Sequence, residues 1–146
     1  MSETILFNPK TVIFREGDDA SELLLIKSGE VLCLKSAKDR LIPVFLAKGQ
    51  DIVGESAMLD GAPYTYSAIA LTNVEVIKVP NTDFRQAFDA APQWLVDLTI
   101  TMVSRFQQTA GLVAENRVIH PSILSEEDFP SSLEIEFKKL LSNKTE

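Results

Sequence analysis

The sequence predicts a mainly β domain, a small antiparallel barrel or jelly-roll-like double sheet, that is followed by C-terminal α-helices. Short runs of apolar and β-branched residues recur between residues 5 and 79, and turns rich in Gly, Asn and Pro separate them. Such spacing is typical of β-sandwiches and barrels. Helix signals replace the strand signals after residue 80. A chain of 146 residues is large enough for one hydrophobic core of this kind.

The first half of the chain predicts a series of strands joined by short turns. Residues 5–14 begin as a strand or short helix, turn at Pro9 and Lys10, and continue as a strand from residue 11. After an acidic turn at 15–19, further strands are expected at 22–27, 31–35 and 41–46, with a polar loop at 36–40. Pro43 cannot donate a hydrogen bond to a neighbouring strand, so it indicates an edge or bulged position.

The last two predicted strands are expected to form a hairpin. They span residues 66–71 and 74–79 and flank Thr72 and Asn73, which suit a tight turn.

Two helices are predicted after the strands. Asn81, Thr82 or Asp83 is expected to cap a short one, and Pro92 suits the first turn of a longer one. The longer helix, residues 92–117, carries apolar residues at intervals of three or four: Leu95, Leu98, Met102, Phe106, Ala110 and Val113. This stripe either packs on the barrel or extends past it and pairs with a second copy in a homodimer, and one helix can do both.

The predicted domain covers residues 1–118, and residues 119–146 form a tail with a short helix. Ser131 or Ser132 is expected to cap that helix, whose acidic residues come early and whose lysines come late, as the helix dipole favours. The tail helix either docks on the domain or faces a partner, and docking is the simpler expectation. The tail is too short for a helix-turn-helix domain.

Composition excludes several classes of function. The formal net charge of −7 and a pI near 4.7 argue against a nucleic-acid surface, which needs clustered Lys and Arg. The sequence contains no apolar run long enough for a membrane span, no signal segment and no lipidation motif, so a cytoplasmic location is expected.

The one cysteine, Cys33, lies in an apolar run that suits a buried strand. One histidine, His120, and one cysteine predict no transition-metal site and no required cofactor.

Residues 49–70, GQDIVGESAMLDGAPYTYSAIA, carry the most specific motif. The stretch resembles the phosphate-binding cassette of cyclic-nucleotide-binding domains, the β-roll modules of catabolite-activator-like regulators, kinase regulatory subunits and cyclic-nucleotide-gated channels. The resemblance covers about residues 5–117 and includes Gly17, Ala20 and Gly29 of the opening strands. It implies that Gly54 and Glu55 open a short helix whose N–H groups face a cyclic phosphate and that Glu55 accepts a hydrogen bond from the ribose.

The cassette departs from the family pattern where the family has an arginine. The family's Pro-Arg-Ser/Thr-Ala string corresponds here to Pro63, Tyr64, Thr65 and Tyr66, and no Lys or Arg occurs from residue 49 to residue 70. A hydrogen bond to a charged group contributes about 1.5–3 kcal/mol, so loss of the arginine weakens binding without necessarily abolishing it. The candidate ligand-binding residues are therefore Gly54, Glu55, Ser56, Ala57, Tyr64, Thr65 and Tyr66.

Three roles remain open for the two tyrosines, which share one face if they lie on a strand. Their hydroxyls contact a phosphate or their rings stack on a base; the rings fill the pocket so that no ligand enters; or they lie outside, beside Pro63, and contact a protein.

The residues contain no catalytic arrangement, so an enzyme is not expected. We predict a non-catalytic signalling module that acts through a protein partner and has weak or lost affinity for cyclic nucleotides. The alternative is a true sensor of cAMP or cGMP that uses Glu55 and Tyr64 in place of the arginine.

Overall fold

The computed structural model describes residues 3–59, 62–116, 123–124 and 127–143. Its strands are β1 (Glu3–Phe7), β2 (Val12–Phe14), β3 (Glu22–Ser28), β4 (Val31–Ala37), β5 (Arg40–Ala47), β6 (Ile52–Val53), β7 (Ser67–Ala70) and β8 (Val74–Pro80). Its helices are the cassette helix, a 3₁₀ turn at Glu55–Met58, and α1 (Asn81–Ala90), α2 (Gln93–Glu115) and α3 (Ser131–Ser142).

The strands form two four-stranded antiparallel sheets, in the orders β1-β8-β3-β6 and β2-β7-β4-β5. Side chains from both sheets, among them Ile26, Val31, Ile42 and Val76, meet in one buried core. The predicted fold class, a double sheet followed by helices, is confirmed. No helix in the described part of the chain combines the length and the apolar content that crossing a bilayer requires.

The predicted hairpin between the last two strands is wrong. Strand β7 pairs with β2 and β4, whereas β8 pairs with β1 and β3 in the other sheet. The chain changes sheets at Thr72 and Asn73, where Leu71 N–H donates to Glu30 O and Glu30 N–H donates to Thr72 Oγ1. Gly29 has a φ of +95°, and a Cβ there would lie 2.3 Å from Asn73 O. The turn residues predicted a turn at this position, but they did not predict that the chain passes from one sheet to the other there.

The hairpin of β4 and β5 is tighter than expected. The predicted loop at 36–40 shrinks to a turn at Lys38 and Asp39, because Lys38 adopts a φ of +59° that lets the strands continue. Lysine rarely takes this conformation, so the sequence did not indicate such a turn. Strand β5 is an edge strand and its register slips beside Pro43, as predicted.

Prolines, and not the predicted polar side chains, precede the helices. Pro80 precedes α1 and Pro130 precedes α3, and neither helix has a side-chain cap. The expected caps at residues 81–83 and at Ser131 or Ser132 are therefore wrong. Asn81 lies in the first turn, where its N–H donates to Ser21 O.

The apolar stripe of α2 divides between two environments. Phe106, Ala110 and Val113 pack against the core, whereas Leu98 and Met102 are 49% and 62% exposed. Helix α2 therefore crosses the barrel with one part of its apolar surface and leaves another part uncovered.

Helix α3 docks on the outer face of the sheet that contains β4 and β5. Phe137 is buried in a second apolar cluster with Leu32, Leu34 and Ile69. Glu134 accepts hydrogen bonds from Arg40 Nε at 3.0 Å, from Arg40 Nη2 at 3.3 Å and from Leu41 N–H at 3.0 Å. The docked position matches the expectation for the tail helix. His120 lies outside the described residues.

Candidate functional site

The cassette begins at a glycine in a crowded position. Gly54 has a φ of +80°, and a Cβ there would lie 3.1 Å from both Glu22 O and the Tyr64 ring. A side chain at this position would strain the backbone and push against the tyrosine. The Gly-Glu pair that the motif predicted thus starts the cassette helix, with Glu55 as its first residue.

Ser56 and Ala57 are buried in the cassette helix. Ala57 N–H donates to Gly54 O at 3.0 Å, within the helical turn itself. Ser56 Oγ accepts a hydrogen bond from Gln107 Nε2 at 2.9 Å, and this bond ties the cassette to α2. Gln107 was not among the predicted site residues, because a glutamine in a long helix carries no signal of its own.

Tyr66 closes the start of the cassette helix from inside. Its hydroxyl accepts a hydrogen bond from Gly54 N–H at 2.8 Å and donates to Glu55 Oε2 at 2.5 Å. The side chain is 1% exposed, and its ring lies against Phe45 and Phe106 with centroid distances of 5.3 and 6.2 Å. One oxygen of the Glu55 carboxylate, the group that the motif assigns to the ribose, therefore shares a phenol with the N–H of Gly54.

Tyr64 also points inward. Its hydroxyl donates to Glu22 O at 2.7 Å, and its ring stacks on Phe14 with centroids 4.0 Å apart. Both tyrosines precede β7, so the inward direction does not come from strand alternation. Both rings therefore lie inside the domain. Of the three open roles, this position argues against the third, a contact with a protein on the outside.

Thr65, between the two tyrosines, is half-buried. Its carbonyl accepts a hydrogen bond from Lys35 Nζ at 2.6 Å, and its hydroxyl has no hydrogen-bond partner among the described residues.

Burial sets the acid-base character of this site. Burial raises the pKa of Glu55 above its ordinary value, although the Tyr66 hydroxyl and the backbone N–H of Glu55 lower it in part. Burial, together with the neighbouring Glu55, also raises the pKa of Tyr66 well above its usual range. The predicted strand cysteine, Cys33, is fully buried, and burial raises the pKa of its thiol. Burial thus opposes ionisation of all three groups.

A cavity of about 360 Å³ lies beside the cassette, between the barrel and α2. Asp51, Glu55 and Thr99 line it together with six apolar side chains, which are Phe45, Ile52, Met58, Met102, Val103 and Phe106. None of the described residues that line it is Lys, Arg or His. The motif predicted the position of Glu55, but the other lining residues come from four segments, β5, residues 51–52, the cassette helix and α2, whose proximity the sequence does not show.

The domain combines two four-stranded sheets, a Gly-Glu turn into a short helix, and a long helix across the same end of the barrel. These features define a β-roll domain with a cassette. The chain belongs to the cyclic nucleotide-binding domain family, whose model matches residues 4–91.

Known proteins with related sequences include regulatory subunits of a kinase. The chain is 34% identical over 84 residues to the cAMP-dependent protein kinase regulatory subunit of Pyricularia oryzae, a match that covers 58% of this chain and 21% of that protein. It is 26% identical over 106 residues to the lysophospholipase nte1 of Neurospora crassa, covering 72% of this chain and 7% of that protein. The chain thus spans about a fifth or less of each of these two relatives.

Solved structures share the fold. The cAMP-bound form of the EAL enzyme Bd1971 superimposes with a TM-score of 0.69 at 22% identity, covering 78% of this chain and 30% of that one. The Thermus thermophilus catabolite activator protein gives a TM-score of 0.64 at 22% identity, covering 76% and 52%.

Proposed function

We propose that this chain is a non-catalytic regulatory module that acts through protein-protein contacts and has weak or lost affinity for cyclic nucleotides. The observation that carries the proposal is the position of the Tyr66 hydroxyl between Gly54 N–H and Glu55 Oε2. Glu55 Oε1 has no hydrogen-bond partner among the described residues, so a ribose hydroxyl reaches the carboxylate either at this buried oxygen or by displacing the phenol from Oε2. A displaced phenol loses its carboxylate partner in a buried site. Leaving a buried polar group unpaired costs about 1–3 kcal/mol.

The electrostatics support the same proposal. A cyclic phosphate carries a negative charge, and residues 49–70 contain no Lys or Arg to meet it. Tyr64 occupies the arginine position, but its hydroxyl is already bonded to Glu22 O. A phosphate in the cassette therefore faces the Glu55 carboxylate without compensation from a side-chain cation of this segment.

Helix α2 offers a surface for the protein contact. Six exposed residues of α2 recur at intervals of three and four and so lie along one line of the helix. They are Leu95, Leu98, Met102, Arg105, Thr109 and Leu112. The spacing matches the heptad repeat by which two helices pair. We propose that this line mediates a homodimer.

Calorimetric titration with cAMP, cGMP and cyclic di-GMP tests the proposal. We expect no saturable heat from the wild-type protein. Tyr64→Arg alone should also give no saturable heat. Tyr64→Arg combined with Tyr66→Ala restores the cation and opens the site, so this double variant should bind a cyclic nucleotide. Saturable binding to the wild-type protein that is lost in Glu55→Ala would overturn the proposal.

One observation favours the alternative, a cyclic nucleotide sensor. Glu55 lines the cavity beside α2, and its Oε1 has no hydrogen-bond partner among the described residues, so a nucleotide seated in the cavity can donate a ribose hydroxyl to this oxygen. The same titration decides between the two functions.

A further inference from the structure

The cavity between the barrel and α2 has an apolar interior and an apolar mouth. Phe45 and Phe106 meet edge to face in its wall, with ring centroids 5.2 Å apart. Ile52 and Met102 stand at the mouth and are 45% and 62% exposed. Burying apolar surface contributes about 25 cal/mol per Å², so a molecule that covers these side chains gains free energy. The volume of about 360 Å³ lies within the range of small-molecule sites.

The polar groups of the cavity have one sign of charge. Asp51 and Glu55 supply two carboxylates and Thr99 supplies a hydroxyl, while none of the described lining residues is basic. Two carboxylates close to one ligand repel an anion and attract a cation, and the interaction is stronger at a partly buried site than in water. The aromatic pair adds an affinity for cations.

We propose that this cavity binds an apolar small molecule without an anionic group, either neutral or cationic, whose rings or chain pack on Phe45 and Phe106 while any amine lies toward Asp51 and Glu55. The inference rests on the proposed function, because it assigns to the same end of the barrel a ligand class that excludes cyclic phosphates. Such a ligand bridges the barrel and α2, so it links occupancy of the cavity to the position of the helix that carries the proposed dimer surface.

Two dyes that differ by one sulfonate group test this ligand class. N-phenyl-1-naphthylamine is neutral, and 8-anilinonaphthalene-1-sulfonate has the same rings plus a sulfonate. In fluorescence titrations of the full chain we expect saturable binding of the neutral dye and affinity about tenfold or more lower for the sulfonate. Ile52→Lys places a cation at the mouth on an exposed edge strand and should narrow or reverse this preference. Leu6→Lys, at a position 75% exposed on β1 and outside the cavity, is the matched control and should leave the preference unchanged.

Several results would overturn the inference. These are no saturable binding of the neutral dye, equal affinity for both dyes, or the same shift in preference for Ile52→Lys and Leu6→Lys. If the dye titrations give one of these results and calorimetry also shows no binding of cyclic nucleotides, the proposed ligand class is wrong and the proposed function still stands. Saturable cAMP or cGMP binding instead removes the proposed function, and it removes this inference when the nucleotide displaces the dye.

Discussion

At the scale of single residues, the hydroxyl of Tyr66 should contribute more to stability than that of Tyr64, because one of the hydrogen-bond partners of Tyr66 is a carboxylate. We expect Tyr66→Phe to lower the free energy of unfolding by about 1.5–3 kcal/mol, the range for a hydrogen bond to a charged group. Tyr64→Phe removes only a bond to the backbone carbonyl of Glu22 and should cost about 0.5–1.5 kcal/mol. Denaturant unfolding of the two variants measures the difference. Equal costs would mean that the Glu55 contact adds no stability.

The raised pKa of Glu55 predicts a specific dependence of stability on pH. Because its pKa in the folded state is above the unfolded value of about 4.3, the folded state binds more protons between the two values. The contribution of Glu55 to the free energy of unfolding therefore falls as the pH rises through this window. Glu55→Gln lacks the titration, so the stability of this variant relative to the wild type should increase from pH 4 to pH 7. A difference that stays constant with pH would contradict the assignment.

At the scale of elements, one buried carboxylate anchors α3 while its neighbour on the same helix does not. Burial alone would raise the pKa of Glu134, but the bonds from Arg40 and Leu41 outweigh it and hold the pKa below its ordinary value. We expect Glu134→Gln to destabilise the fold by about 1.5–3 kcal/mol at neutral pH. Glu136→Gln removes only an exposed pair with Lys10 and should cost about 0–1 kcal/mol.

The sign of the pH effect at Glu134 is opposite to that at Glu55. A lowered pKa contributes stability above the unfolded value, and this stability is lost as the pH falls through the folded value. The gap between wild type and Glu134→Gln in chemical denaturation should therefore close toward pH 3. A gap of the same size at both pH values would mean that the interaction does not depend on ionised Glu134.

The exposed line on α2 predicts the oligomeric state. We expect the wild-type protein to sediment as a dimer and Leu98→Glu to sediment as a monomer, because like charges would face each other across the seam. Ile135→Glu, at a position on α3 that is 53% exposed, is the control and should remain dimeric. A wild-type monomer at micromolar concentration would refute the role proposed for this surface.

At the scale of the whole molecule, much of the fold was predictable. Strand positions follow from local alternation and turn residues, and the helices follow from apolar spacing, so most elements lie within a few residues of their predicted positions. The motif also predicted that Gly54 and Glu55 begin the cassette helix, as they do. The partners of Tyr66 were not predictable, because Phe45 and Phe106 come from a strand and a helix that only the closed domain brings together.

The sequence by itself determined the fold class, the family and the absence of a cation in the cassette, because these depend on local patterns and on residue identity. Only the tertiary structure decided that β8 joins the other sheet, that both tyrosines point inward, and that α2 covers the barrel with only part of its apolar surface. Each of these outcomes depends on which distant side chains compete for the same buried space. Local propensity carries no information about that competition, which is resolved when the two sheets and α2 pack together.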